Sequence, residues 1–260
     1  MSEENPYQTP EADVVEPPSN GERSLVAPRA CAAGSGWSWI REAFSLFARS
    51  PGIWILVCLV LFGMSIVIAF IPLGSIALSL FTYVLVAGMM MGCADLEKGS
   101  ELSVEHLFRG FKHEGMGALV ICGAVVLGIT ILLTVLIMVG MFLFAGMAAT
   151  LGSMEQDLLA GSIGLGIVLM ILIFIALTLP LVMMTWFAPA LVVFHKLSAW
   201  DAMKQSFMGC LKNIIPFLIY GLVMLVLTIV ASIPLALGWL VLAPVMVITM
   251  YSSYKEIFIE

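Results

Sequence analysis

Three charged side chains stand close together near the middle of the chain, at Asp95, Glu97 and Lys98. Two carboxylates beside an amine can bind a metal ion or the headgroup of a lipid. The three residues directly follow a long apolar run, however, and charges at that place are typical of a helix end that has reached water. We interpret the cluster as a hydrated helix end, and metal or headgroup binding is the alternative.

Histidine and cysteine, the usual ligands of transition metals, form no metal-binding pattern in this sequence. His106 and His113 share a helical face but are two turns apart, about 10 Å, so they cannot bind one metal ion directly. The five cysteines are Cys31, Cys58, Cys93, Cys122 and Cys210. They contain no Cys-x-x-Cys pair, which argues against a zinc site or a disulfide framework. We predict no metal site and no cofactor.

The string from Gly88 to Cys93, Gly-Met-Met-Met-Gly-Cys, is the most distinctive one inside an apolar run. Gly88 and Gly92 are four residues apart, so they form a small-residue groove where another helix can approach closely. Methionine and cysteine sulfurs could instead bind monovalent copper. Consecutive methionines point to different faces of a helix, and flexible methionines commonly fill gaps. We therefore predict a helix-packing surface at the two glycines.

The apolar segments that surround these residues contain no Asp, Glu, Lys, Arg or His in their interiors. An ionisable group at the centre of a bilayer costs roughly 2.5 to 3.5 kcal/mol, and proteins that keep one generally use it for ions or protons. Its absence argues against transport coupled to protons or sodium through a buried carboxylate. It also argues against an intramembrane protease with an aspartate or histidine in its core.

The composition is that of a membrane protein, with 62% apolar and 11% charged residues. Six apolar runs approach or exceed the roughly 20 residues that cross a bilayer as a helix. They lie at about 52–72, 74–94, 115–142, 161–187, 214–233 and 235–254. Proline and glycine divide the first pair at Pro72 and Gly74 and the last pair at Pro234 and Gly238, which predicts tight helical hairpins.

The predicted fold is therefore all-α, a polytopic membrane bundle of about six transmembrane helices. Its three hairpins cover about 52–94, 115–187 and 214–254. With six crossings all eleven Lys and Arg residues fall on one side, which is the cytoplasmic side by the positive-inside rule. Both termini are then cytoplasmic. The joint between the third and fourth spans, around 150–160, contains Glu155 and Asp157 but no basic residue.

A short amphipathic segment precedes each hairpin, with apolar residues spaced by three and four. Such segments are typical of helices that lie at the surface of an anionic membrane leaflet. The predicted interfacial residues are Trp37, Phe44, Phe47, Phe108, Phe111, Trp200 and Phe207. Whether the three units are true repeats stays open.

Residues 1–35 are rich in proline and carry four of the six net negative charges of the chain. Such a mixture buries too little apolar surface to fold. We predict a disordered cytoplasmic leader that is dispensable for insertion, followed by a transmembrane domain at 36–260. The remaining charges are nearly balanced, so the sequence gives no support for nucleic acid binding.

Three parts of the chain resemble an uncharacterised family of proteobacterial inner-membrane proteins. They are Asn5 to Ala12 (NPYQTPEA), Trp37 to Pro51, and Ala199 to Ala202 leading to Pro216. More distantly, the alternation of amphipathic helix and hairpin is similar to the membrane domain of some glycerophosphodiester phosphodiesterases, whose soluble catalytic domain has no counterpart here. The resemblance implies an inner-membrane location and six helices, and it supplies no functional residues.

Three functions are compatible with these patterns. We expect a non-enzymatic bundle that acts through membrane lipids, a membrane protein partner or its own oligomer. A facilitator or transporter of an apolar or amphipathic solute is the first alternative, because such a solute needs no buried charge; the prolines at 180, 189 and 244 favour it slightly. A membrane enzyme is the second. Its surface site would draw on Asp95, His106, His113, His195 and Asp201.

Overall fold

The computed structural model describes residues 24–150 and 156–259, with the backbone alone at 144–145, 147–150 and 156–164. Within these ranges the regular structure is helical, apart from a single isolated bridge between Leu25 and Ile259. The α-helices are α1 (Ser35–Phe47), α2 (Pro51–Ala69), α3 (Gly74–Glu97), α4 (His106–Arg109), α5 (Met116–Thr150), α6 (Gln156–Thr185), α7 (Ala188–His195), α8 (Ala199–Lys212), α9 (Ile214–Ser232) and α10 (Trp239–Phe258).

Five segments of the described chain are helical, long and apolar enough to cross a membrane. They are Pro51–Ala69, Gly74–Glu97, Met116–Leu143, Leu165–His195 and Ile214–Ser232. The prediction of an all-α, polytopic membrane bundle is confirmed. The sixth predicted span, 235–254, forms α10, but this helix is polar from Tyr251 to Glu256 and is therefore less apolar than the other five.

The first and last hairpins turn where proline and glycine divide the apolar runs. Leu73 adopts a positive φ of 63° just before α3, and Leu235 and Ala236 have positive φ values of 51° and 64° before α10. Both turns also need a glycine, because an added Cβ at Gly74 would lie 2.2 Å from the carbonyl oxygen of Ile68. Gly238 lies nearly as close to the preceding helix, since an added Cβ would lie 2.5 Å from the Cα of Ala231.

Helix α3 lies at the centre of the bundle, and the backbones of neighbouring elements pack closely against one of its faces. A Cβ added to Gly123 of α5 would lie 2.3 Å from the carbonyl oxygen of Leu80, and one added to Gly110 would lie 2.1 Å from that of Val84. One turn further along the same face, a Cβ at Gly88 would lie 2.4 Å from a backbone oxygen of α4. Glycines therefore set the close approach of α3 to the elements around it.

Residues 24–34, which composition assigns to the leader, lie along the end of α10. Val26 donates its backbone N–H to the carbonyl oxygen of Phe258 over 2.9 Å, and Arg29 donates to that of Ile257 over 3.1 Å. The two ends of the described chain therefore meet at one end of the bundle. The leader up to residue 23, which includes the string from Asn5 to Ala12, lies outside the described residues. So do residues 151–155 of the predicted joint around 150–160, whereas Thr150 belongs to α5 and 156–160 belong to α6.

Candidate functional site

The charged residues at the end of the bundle form a network centred on Lys255. Its ammonium nitrogen lies 2.6 Å from Oε1 of Glu42 on α1 and 2.5 Å from Oε1 of Glu97 on α3. Tyr251 lies one helical turn before Lys255 and donates its hydroxyl to Oε2 of Glu97 over 2.7 Å. These four side chains, which we call the terminal ion network, join three helices.

The geometry of this network keeps Lys255 charged. Burial acts to lower the pKa of Lys255, but the hydrogen bonds from its ammonium group to Glu42 and Glu97 outweigh burial and hold the pKa above its usual value. A lysine that acts as a base or a nucleophile needs a pKa lowered towards neutrality. In this arrangement Lys255 therefore acts as a fixed cation between two carboxylates.

Glu256, the next residue, fixes the start of α1 and the N-terminal segment. Its carboxylate accepts hydrogen bonds from the Ser35 hydroxyl at 2.6 Å and from the Trp39 indole at 2.5 Å. The Arg29 side chain donates to its carbonyl oxygen. Burial, together with the nearby carboxylate of Glu256, raises the pKa of the Cys31 thiol to about 11, so Cys31 stays a thiol and is a poor nucleophile at neutral pH.

Asn213, at the junction of α8 and α9, holds the same segment from the other side. Its side-chain oxygen accepts the backbone N–H of Cys31 over 2.7 Å, and its amide nitrogen donates to the carbonyl oxygens of Arg29 and Gly209. The side chain is fully buried, and both its oxygen and its nitrogen have hydrogen-bond partners. Asn213 thus holds the N-terminal segment against the junction of α8 and α9.

Of the ionisable residues considered for a surface enzyme site, the structure brings two together. The carboxylate of Asp95 lies 3.3 Å from Nε2 of His106 and also accepts a hydrogen bond from Arg109. The other three have separate partners: His113 accepts the backbone N–H of Gly115, His195 contacts the Tyr254 hydroxyl, and Asp201 contacts Ser198 at the start of α8. Among the described residues no group of three or more His, Cys, Asp or Glu side chains is placed to hold a metal ion.

Gly88 and Gly92 contact the segment just before and within α4 of the same chain. Backbone oxygens of His106 and Leu107 lie at the position a Cβ on Gly88 would occupy. At Gly92 the nearest atoms to an added Cβ belong to the Leu102 and His106 side chains, at 2.8 and 3.2 Å. The small-residue groove is therefore covered by this chain itself in the monomer.

The predicted interfacial residues fall into two groups. Trp37, Phe44, Phe108 and Trp200 are exposed, as expected of side chains that meet lipid, whereas Phe47 is buried and Phe111 and Phe207 are half-buried. The buried face of α1 instead centres on Trp39 and Ile40. Sequence reasoning missed the role of Trp39, although its position one turn before Ala43 places both on one face.

An apolar groove of about 320 Å³ opens between α6 and α9, near the end that carries the charges. Its aliphatic and aromatic walls come from Leu179, Val182 and Met183 of α6 and Ile214, Phe217 and Leu218 of α9. Trp186, Cys210 and Tyr220 complete the lining, and we call this site the aromatic groove. The Trp186 ring contacts Phe217 and Tyr220 edge-on, each at 5.7 Å between centroids.

The groove exists because α6 ends at Thr185 and a short bend leads into α7. Ser206, fully buried on α8, stabilises this bend by donating to the Met183 carbonyl oxygen over 2.7 Å and accepting the Phe187 N–H over 2.9 Å. Pro180 lies inside α6 without ending it. No local sequence pattern joins Tyr220 of α9 to Trp186, so sequence reasoning did not predict this contact.

The chain is similar to a probable inner membrane protein of Burkholderia thailandensis, with 28% identity over 222 residues that cover 78% of this chain and 77% of that protein. No protein-family model and no solved structure matches the chain. The similarity agrees with the apolar helices described above: the chain is a multi-pass membrane protein with the all-α architecture of a helical bundle.

Proposed function

We propose that the protein is a non-enzymatic bundle of the bacterial inner membrane that acts by holding lipid or protein partners. The observation that carries this proposal is that charged side chains pair with one another between helices. Lys255, Glu42 and Glu97 bind one another and join helices, while the interiors of the apolar spans contain no Asp, Glu, Lys, Arg or His. The charges thus support assembly of the bundle, and the spans offer apolar surface for contact with membrane components.

The hairpin of α5 and α6 offers a large part of that surface. Large apolar side chains along both helices are more than half exposed, among them Met138, Phe142 and Leu172. Helix α5 alone has 35 residues, about 52 Å at 1.5 Å per residue, which exceeds the roughly 30 Å of hydrocarbon in a bilayer. Within the bilayer, lipid or another apolar helix must cover these side chains.

We further propose that both termini are cytoplasmic. The contacts of Val26 and Arg29 with the end of α10 support an even number of crossings, because those two ends lie on the same side of the bundle. Basic side chains at the same end, including Lys212 and Lys255, support the cytoplasmic side by the positive-inside rule.

Photocrosslinking in the native membrane tests the proposal. A photoreactive residue at Met138 or Leu172, on the hairpin, is compared with one at Val226, an exposed position of α9. We expect discrete adducts from the hairpin positions, either with one membrane protein or with one enriched lipid class. Adducts that reproduce the bulk lipid composition equally at all three positions would contradict the proposal.

A second candidate, facilitated movement of an amphipathic solute, is favoured by the aromatic groove, which is apolar and lies beside the helix break at Trp186. Vesicles that contain the purified protein would then release an amphipathic dye faster than protein-free vesicles do. A release rate equal to that of protein-free vesicles would exclude this candidate for the dye tested.

A further inference from the structure

Two hydrogen-bond donors on side chains that line the aromatic groove have no partner within the described part of the chain. They are the indole nitrogen Nε1 of Trp186 and the hydroxyl of Tyr220, and both atoms are buried. The residue Tyr220 as a whole is only 6% exposed. Buried polar groups in proteins almost always have a hydrogen-bond partner, so an unpartnered pair on one cavity points to a missing acceptor.

The neighbouring polar groups do not supply that acceptor. The Ser206 hydroxyl is bonded to Met183 and Phe187, and the Cys210 thiol lies 3.6 Å from the Met183 carbonyl oxygen. The rest of the lining is aliphatic or aromatic. A water molecule that accepted both hydrogen bonds would still have two O–H donors of its own, and the side chains of this lining offer them only the weak sulfur acceptor of Cys210. An acceptor that carries no donor, on a ligand that is otherwise apolar, fits the lining better.

The depth of the groove suggests which ligand that is. Tyr220 lies about 9 Å along α9 from its first residue, Ile214, and Lys212 lies just before that helix. Trp and Tyr are enriched at this level of a membrane, where their rings meet hydrocarbon and their polar atoms meet the interface. The ester carbonyls of glycerophospholipids lie at the same level, with the phosphate towards the basic residues and the acyl chains towards the centre.

We propose, resting on the proposed function above, that the aromatic groove binds a glycerophospholipid. One acyl chain lies between α6 and α9 against Leu179, Val182 and Leu218. Its ester carbonyl oxygen accepts hydrogen bonds from Trp186 and Tyr220. The apolar lining contacts the acyl chain of the lipid. The two donors fix the depth of the lipid in the groove and distinguish an ester from a plain hydrocarbon.

The test uses the full chain in vesicles of phosphatidylethanolamine and phosphatidylglycerol that contain a phospholipid with a photoreactive group near one ester. After irradiation, the labelled peptides are identified by mass spectrometry. We expect the label to concentrate on the groove segments 179–186 and 214–220. Trp186→Phe with Tyr220→Phe keeps the rings and removes both donors, and it should lower that labelling about fivefold or more.

Two controls keep the result interpretable. Trp54→Phe also removes a buried, unpartnered indole N–H, but Trp54 is outside the groove lining, so labelling should not change. Should the double variant fail to fold, Leu218→Trp fills the groove, whereas Leu222→Trp makes the same change one turn away at an equally exposed site, 65% against 67%. We expect only Leu218→Trp to lower the labelling.

Three outcomes would overturn the lipid site. They are label spread evenly over all lipid-facing helices, unchanged labelling in the donor or groove-filling variants, and a protein–protein adduct from a photoreactive residue placed at Leu218, which would assign the groove to a second copy. None of them alters the adducts expected at Met138 and Leu172, so failure of the lipid site and failure of the proposed function can be distinguished.

Discussion

Lys255 and Glu256 are neighbours in the chain, yet their side chains fix different parts of the bundle. Lys255 joins Glu42 and Glu97 within the terminal ion network, and its side chain is 20% exposed. Glu256 accepts hydrogen bonds from Ser35 and Trp39 at the start of α1. A half-buried cation between two carboxylates matters chiefly because its removal leaves the like charges of Glu42 and Glu97 facing each other.

Lys255→Met should therefore destabilise the protein. We expect a loss of about 2 kcal/mol, less than for a fully buried pair because Glu42 and Glu97 keep some contact with water. Thermal unfolding of the purified protein in detergent measures the change, and Lys204→Met at an exposed position of α8 is the control. Adding Glu97→Gln to Lys255→Met should restore part of the loss. Equal stability of the two methionine variants would show that the network contributes nothing.

At the scale of the helices, close packing around α3 depends on glycines whose missing side chains admit a neighbouring backbone. Gly88 meets the backbone of α4, and Gly110 and Gly123 meet that of α3 itself. In a membrane such close contact supplies the dispersion that holds helices together, because apolar burial against lipid gives little net gain. Gly88 and Gly92 therefore pack against α4 and the residues just before it in the same chain.

Gly88→Ala should lower the free energy of unfolding by about 1–3 kcal/mol, since its Cβ would meet backbone oxygens that cannot move aside freely. Gly128→Ala, in α5, is the matched control, because no atom lies within 4 Å of its added Cβ. Thermal unfolding in detergent compares the two. A Gly88→Ala variant as stable as Gly128→Ala would contradict the described packing of α3 on α4.

The N-terminal segment gives a second prediction at this scale. Deletion of residues 1–23 should leave stability unchanged. Deletion of 1–33 should lower stability, because Val26, Arg29 and Cys31 would no longer bond to α10 and Asn213. Membrane abundance and thermal unfolding of both truncated chains measure the difference. Equal stability of the two truncated chains would show that the contacts at 24–34 do not stabilise the protein.

Much of the helical plan could be predicted from the sequence, because a membrane helix needs about 20 apolar residues and Pro72 and Pro234 interrupt such runs. The contact of Glu256 with Trp39 could not, since 217 residues separate the pair and no local pattern joins them. For the same reason the sequence did not reveal the aromatic groove, whose two donors lie on different helices. Composition also hid the ordered segment at 24–34, where backbone groups rather than side chains make most of the bonds.

At the scale of the whole molecule, the number of crossings decides how the bundle lies in the membrane. Five segments of the described chain are apolar enough to span, and α10 is a helix of 20 residues with a polar end. Five crossings would place the two ends of the described chain on opposite faces. We propose that α10 crosses as the sixth helix, because the bridge between Leu25 and Ile259 joins these two ends.

Reporter fusions along the chain test this claim most directly. Fusions after residues 73, 155 and 236 should report the periplasm, and fusions after 100, 200 and 258 should report the cytoplasm, because six crossings bring every basic segment to one side. The decisive fusion is the one after 258. A cytoplasmic signal there agrees with a bundle closed by its two ends, whereas a periplasmic signal would contradict the six-crossing topology and the contact between Leu25 and Ile259.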